Sequence, residues 1–426
     1  MPAIDADLQA AYLYSFPYYE MARTRYLMLD FPLNPQRGEV NTLLHRRSLA
    51  DHRTRGVTTP NNDTLYSVAW LDLDAGPLAL TLPRVAGRYW SLQFMDASSG
   101  TAALLGSRLD GQGGFELWVM RDGDPRQPPA GVRVLRLPTR DVWMLARFGL
   151  DSAADLQAVH ALQDAMRLQP VVSGAAPAAP RAPQRALGSP EDGSNYLAVV
   201  NDMLARNGVP AAEKAMVAGW STLGIGMTAP SAEQASRWDA GLPALNAALR
   251  ETGGISAAAT TARGWSYPDA AIGTYGGNHA LRARVALGGL AALPPQEALY
   301  LSATSDNNGE PLHGQHRYRL RLPAEGIDAA AFWSLTMYQV EPDGRLFFVD
   351  NPIARYAVGD RTRGLSKGAN GAIELVVQPQ PPAEPAKQAN WLPSPQGPFR
   401  LILRAYGPSV ALAQGQAPLP VIEKLP

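Results

Sequence analysis

Two stretches of the chain, RYWSLQFMD at residues 88–96 and FWSLTMYQV at 332–340, read as β-strands built on a shared WSL core. Side chains alternate across a strand, so Arg88, Trp90, Leu92, Phe94 and Asp96 share one face of the first, and Tyr89, Ser91, Gln93 and Met95 the other. In the second, Ser334, Thr336 and Tyr338 lie opposite Trp333, Leu335 and Met337. Around each strand, further short matches recur in one order. LY (65–66), LTLP (80–83), YWSL (89–92), LPT (137–139) and FG (148–149) are answered by LY (299–300), LRLP (320–323), FWSL (332–335), LPS (392–394) and YG (406–407). The ordered series predicts a duplicated β architecture. A cleft shared between its halves is the natural ligand site.

Outward from these strands, the chain is expected to be mainly β with helical insertions: two tandem antiparallel β-sandwich domains, an N-terminal helix and a central helical segment. Residues 5–29 carry Leu8, Tyr12, Phe16 and Tyr19 at helical spacing, with Pro17 expected to kink the helix. Short β-type runs separated by turns fill 64–148, and a helix is predicted over 153–166. A Pro/Ala-rich linker, VVSGAAPAAPRAPQRALGSPEDGS, leads into helical residues 195–252. GNHALRARVALGGL adds a helix with Asn278 as its N-cap, and the β pattern returns after Pro295. The expected domains are 1–170, 171–294 and 295–426.

Composition narrows the function. Lys+Arg and Asp+Glu balance at 38 each in 426 residues, so no net field gathers nucleic acid or an anionic membrane. The absence of cysteine excludes disulfides, thiolate metal sites and a Cys nucleophile. No apolar run approaches the ~20 residues of a membrane helix, and the acidic N-terminus is unlike a secretory signal. The expected location is cytoplasmic, or periplasmic if a leader has been removed.

PNNDTLYSVAWLDL with GRYWSLQFMDA resembles the family DUF1254, over roughly residues 10–170. FWSLTMYQV, VDNPIARYAVGDRT and NWLPSPQGPFRLILRAYGP resemble its usual partner DUF1214, over roughly 265–410. The resemblance implies a jelly-roll-like β-sandwich for each and no assigned reaction. The chain departs from the family pattern at Asn62, where a valine is usual. It departs again at His313 and His316, where small polar residues, often Asp and Asn, are usual.

Several constellations could carry chemistry. Asp63, Tyr66 and Asp96 are the candidate catalytic groups for acid–base work by carboxylate and tyrosine. Asn62, Arg88, Gln93, Tyr275, His279, Tyr338, Asn351 and Arg355 are candidate substrate-binding residues. Each has a bland alternative: strand ends, a capped turn, a solvent face, or an Arg–Asp network pinning a loop. His313 and His316 with Asp306 or Glu310 could approach a metal, yet a site needs at least three converging ligands, and no metal or cofactor is expected. GLSKG (364–368) matches a nucleophile-elbow pattern but lacks the strand-to-helix context that elbow requires. Two functions remain open. One is a cofactor-independent enzyme of hydrolase, lyase or isomerase type acting on a small molecule. The other is a non-catalytic carbohydrate- or lipid-binding protein, or a homo-oligomeric assembly module.

Overall fold

The chain is seen in a computed structural model that describes residues 5–426 apart from 57, 173–175, 253–255, 261–263, 323 and 343. Residues 173–175 of the expected linker and Pro323 of the second LxLP motif therefore lie outside the described residues.

The first β region forms β1 (Thr64–Asp72), β2 (Leu78–Arg84), β3 (Trp90–Met95), β4 (Thr101–Gly106), β5 (Gly113–Arg121), β6 (Arg133–Leu137), β7 (Asp141–Gly149) and β8 (Arg167–Pro170). The second forms β9 (Ala298–Ala303), β10 (Arg317–Leu322), β11 (Ala329–Val340), β12 (Ile373–Gln378), β13 (Trp391–Pro393), β14 (Phe399–Pro408) and β15 (Val421–Leu425). One sheet runs β1-β7-β3-β4, with the short Leu44–His45 strand beside β1, and a second runs β6-β5-β2-β8. In the other half, β9-β14-β11 lies at the heart of one sheet and β13-β12-β10-β15 makes the other. The orders β1-β7-β3 and β9-β14-β11 correspond, as do β6-β5-β2-β8 and β13-β12-β10-β15. Even the parallel pair recurs, at β5–β6 and at β12–β13. The two halves thus repeat one topology.

Each sheet pair closes on its own apolar core. Leu65, Leu80, Leu92, Phe94, Leu117 and Phe148 are fully or nearly fully buried in the first, and Leu299, Leu320, Trp333, Leu335, Leu375 and Leu403 in the second. Register corrects one of the sequence matches. Ser91 lies opposite Arg147, and Ser334 opposite Arg404, so Phe148 corresponds to Ala405 rather than to Tyr406. FG and YG are one residue out of step. Phe148 enters a core, whereas Tyr406 points out of the sheet, because a single-residue slip reverses the face.

The opposite face of the first sheet is buried as well. Over Val68, Trp70, Met95, Trp143 and Leu145 lies a helical layer centred on α1 (Ala6–Leu29). Asp5 caps α1 by accepting the Asp7 and Leu8 N–H groups. The expected single apolar stripe on α1 proves too narrow: Tyr14 and Tyr18 are buried along with Tyr12, Phe16 and Tyr19. Around α1 pack α3 (Gly193–Asn207), α4 (Ala232–Thr252) and α5 (His279–Gly288); α2 (Leu156–Ala165) sits apart, against the first sheet pair. Trp70 and Trp143 stack with ring centres 5.5 Å apart. Among the other outward residues of the first sheet, Tyr66, Tyr89, Ser91 and Arg147 lie toward the β9-β14-β11 sheet, with Tyr66 also against the helical layer. There Tyr89 meets Tyr406 at 5.0 Å and Phe332 at 5.7 Å, edge to face. Among the described residues no helix is long and apolar enough to cross a membrane.

Charged pairs fasten the helical layer to the first sheet. Arg140 donates twice to the fully buried Asp72, at 2.8 Å each, and Arg206 at the end of α3 bridges Asp72 and Asp141. Burial alone would raise the Asp72 pKa. The Arg140 hydrogen bonds, the Ala178 N–H and the Arg206 charge outweigh it and hold the carboxyl below its ordinary value. A carboxyl depressed in the folded state stabilises above its unfolded pKa, and that contribution fades as pH falls through the folded value. Asp72→Asn is therefore expected to cost about 3–5 kcal/mol near pH 7, because Arg206 and Arg140 lose a buried partner. The deficit should shrink as pH drops below about 4. Denaturant unfolding of both proteins across pH measures this, and a deficit independent of pH would refute the linkage.

Candidate functional site

The turn that follows β3 carries Asp96, and its backbone fits few residues. Asp96 Oδ1 accepts the N–H groups of Ser98 and Gly100, at 2.8 and 2.9 Å, together with the Ser98 hydroxyl at 2.8 Å. A Cβ at Gly100 would stand 2.9 Å from Asp96 Oδ2, so only glycine lets the carboxylate sit there. Asp96 Oδ2 accepts no hydrogen bond among the described residues. Ser98 Oγ in turn accepts from Arg282 Nη1 at 3.0 Å. One hydroxyl thus couples the guanidinium of α5 to the carboxylate of the turn.

The other wall comes from residues 273–282. Gly273, at φ +83°, accepts the Thr101 N–H on its carbonyl at 2.7 Å, and any side chain there would strike Pro294. Asn278 caps α5 as the sequence predicts, accepting Leu281 N–H at 3.0 Å. His279 opens the helix, its ring edge-on to Tyr14 at 5.1 Å. Tyr14 donates to Glu213 Oε2 at 3.0 Å. Between these walls lies a cavity of about 580 Å³, lined by Asp96, Glu213, Tyr275, His279 and Arg282 among others. Gly276 and Gly277 border open space, since a Cβ on either would meet nothing within 4 Å.

The electrostatics separate the roles of these groups. Burial, reinforced by the Arg282 charge and opposed by Glu213, pushes the His279 pKa down, so its imidazole is neutral near pH 7. Among the described residues its Nδ1 is buried without a hydrogen-bond partner, as is Arg282 Nε. Burial lifts the Tyr275 phenol to about 12, leaving it a hydroxyl donor. Two carboxylates, a neutral imidazole, a guanidinium and a phenol around one cavity suffice for proton transfer to and from a small polar molecule.

Of the residues singled out in the sequence, Asp96, Tyr275 and His279 line this cavity. Gln93 stands one layer behind it, donating to Thr101 Oγ1 at 2.8 Å. Asp63, Tyr66 and Tyr338 lie instead where the two halves meet. Asp63 is buried, accepts the Ser334 hydroxyl at 2.7 Å and faces Arg361 at 3.9 Å. Tyr338 donates to the Pro60 carbonyl at 2.6 Å, and Asn62 to that of Ala50 at 2.5 Å. Arg88 makes a paired contact with Asp155, at 2.6 and 2.8 Å. Asn351 and Arg355 fold their own loop: Arg355 donates to the carbonyls of Ala389 and Trp391, and Asn351 bonds the Arg355 backbone. Glu213 was not signalled by the sequence, since it sits in a short turn between helices with no motif around it. His316 is half-buried beside Tyr318, and among the described residues no three His, Asp or Glu side chains group as metal ligands. Ser366 bonds Asn390 through its backbone and is followed by a turn rather than a helix.

Residues 40–170 match the family model described as protein of unknown function DUF1254, and residues 297–410 that of protein of unknown function DUF1214. The chain is a DUF1254/DUF1214 protein. Its helical segment, with Glu213, His279 and Arg282, lies between the two matched regions, so the cavity joins a DUF1254 turn to residues outside both. Among solved structures, the VPA0106 protein from Vibrio parahaemolyticus is similar over 99% of both chains, at 24% identity and a TM-score of 0.74. That likeness shows the fold. An uncharacterized protein from Burkholderia cenocepacia aligns with 97% of this chain and 87% of its own, at 12% identity and a TM-score of 0.47. No curated protein matches the sequence.

The His279 environment is directly measurable. Its ring should titrate with a midpoint below the 6.5 of an unperturbed histidine, followed by NMR of the Cε1 proton. Arg282→Gln removes a neighbouring positive charge and should move that midpoint upward. An unchanged midpoint would mean that the Arg282 charge does not reach the imidazole.

Proposed function

We propose that this DUF1254/DUF1214 protein is a small-molecule enzyme that works by acid–base chemistry in the cavity between the Asp96 turn and α5. The observation that carries this reading is the convergence of Asp96, Glu213, His279, Arg282 and Tyr275 on one cavity of about 580 Å³, within the range of small-ligand sites. Asp96 suits the part of base, because Oδ1 is held by three donors while Oδ2 accepts none. Neutral His279 suits the part of a second proton acceptor, and the Tyr275 hydroxyl that of hydrogen-bond donor to the substrate. Hydrolysis, elimination and isomerisation are all compatible with such a set. The repeated strand order supports treating each sheet pair as a jelly-roll-like sandwich domain, with the helical segment between them supplying one wall of the site.

Mass spectrometry of the small molecules extracted from the purified protein should identify a co-purifying ligand. Offered to the wild type, that ligand is expected to be converted. Asp96→Asn keeps an acceptor for the turn and should lower turnover by about 10²-fold or more while affinity changes little. Binding without conversion would replace this reading with the non-catalytic one. Undiminished turnover in Asp96→Asn would remove Asp96 from the chemistry.

A further inference from the structure

The outward faces of the first sheet and of the β9-β14-β11 sheet meet along a seam, and both contribute the same pattern. Arg147 of β7 lies opposite Tyr66 on one neighbour and Ser91 on the other. Arg404 of β14 lies opposite Tyr300 and Ser334 in the same way. Both arginines are buried, at 3% and 4% exposure. Arginine is rarely buried without an acidic partner, yet neither makes an ion pair among the described residues. Arg147 donates to the Ala291 carbonyl at 2.8 Å and lies over the Tyr66 ring. Arg404 donates to Thr336 Oγ1 and to the Tyr338 hydroxyl, at 2.7 Å each.

The acids at the seam do not cancel these charges. Glu297 is taken by Arg108 at 2.8 Å, and Asp63 faces Arg361 at 3.9 Å and accepts from Ser334. Asp63 also lies within the field of Arg404, so one acid is shared between two arginines, and Arg147 has no acid in contact among the described residues. Arg147 and Arg404 also leave donors unused: among the described residues Arg147 Nη1 and Arg404 Nε are buried without a partner, and the Tyr89 and Ser91 hydroxyls beside them have only each other within reach. A buried donor without an acceptor costs about 1–3 kcal/mol, and more when charged. An acceptor carrying negative charge would answer both deficits at once. Two unpartnered acceptors lie nearby, Gln93 Oε1 and Glu297 Oε1, and Glu297 acts on Tyr89, but neither bonds Arg147 or Arg404 among the described residues. Tyr300 lies within the field of both guanidinium groups, and burial keeps it and Tyr89 protonated.

We propose that the seam between the two halves holds a small oxyanion, of carboxylate or phosphate chemistry, bound by Arg147 and Arg404 with Tyr89 and Ser91 as hydroxyl donors. Arg147 Nη1 and Arg404 Nε would each supply one charge-assisted N–H to an oxygen of such a group. This site is separate from the Asp96 cavity and does not rest on that reading.

The full-length protein is unfolded in denaturant, refolded into chloride buffer and titrated with sodium acetate or inorganic phosphate at constant ionic strength, with thermal midpoint and calorimetry as readouts. One of the two anions should raise the midpoint beyond chloride in a saturable way. Response to acetate alone marks a carboxylate ligand, and response to phosphate alone a phosphoryl one. Arg147→Gln should weaken binding at least tenfold. Arg147→Lys, which keeps the charge and loses the guanidinium, should fall between the two and covers the case in which the Gln variant does not fold. Arg319→Gln, on the far sheet, should bind as the wild type does, and so should Asp96→Asn. The proposal is overturned if neither anion outperforms chloride, or if a folded Arg147 variant, Gln or Lys, binds as tightly as the wild type.

Discussion

The central strands of this protein have no solvent face. Every second side chain of β1, β3 and β7 enters the core of the first sheet pair, and the alternate ones are buried on the other side except Tyr66, which is half-buried. A sheet apolar on both faces must be covered twice. Helices cover one end of the outer face, around α1, and the second half of the chain covers the other. From this need follow the buried α1, the docking of α3 through Arg206, and the seam at which the halves meet.

The seam differs in kind from the cores. Its centre is aromatic, with Phe332 and Tyr406 stacked at 4.1 Å and Tyr89 edge-on to both. Around that centre lie buried charges and hydroxyls. An interface between two apolar sandwiches could have been filled more cheaply with aliphatic side chains, since a buried ion pair is often no more stable than its hydrophobic replacement. Polar residues at equivalent positions of both repeats point to a requirement other than packing.

The cavity follows a different logic. It opens at the end of β3, where the strand has turned away from its core and the chain from 273 to 282 comes back across it. Strand ends and the loops between layers are where backbone and side chains are released from packing and can address a ligand. Asp96 is the residue at which the WSLQFM strand stops alternating and begins to cap its own turn.

Period-two alternation, the WSL and LxLP repeats and the Asn278 cap were legible in the chain, because local side-chain chemistry dictates them. So was the duplication, although the last match was misaligned by one residue: FG and YG look alike, and only the ladder reveals which face each occupies. Asp96, Tyr275 and His279 were recognisable as chemical groups, but their meeting was not. Glu213 comes from a turn more than a hundred residues from Asp96, and no spacing rule links them. The hydroxyl row Ser334, Thr336 and Tyr338 reads equally as a solvent face or a ligand face from sequence. Whether it is wet or buried depends on what packs over it, which is the first half of the same chain. Sequence alone determined the elements and their repetition, since these depend on neighbours a few residues away; tertiary structure decided which faces are covered and which ionisable groups converge, since those depend on chain segments brought together only by folding.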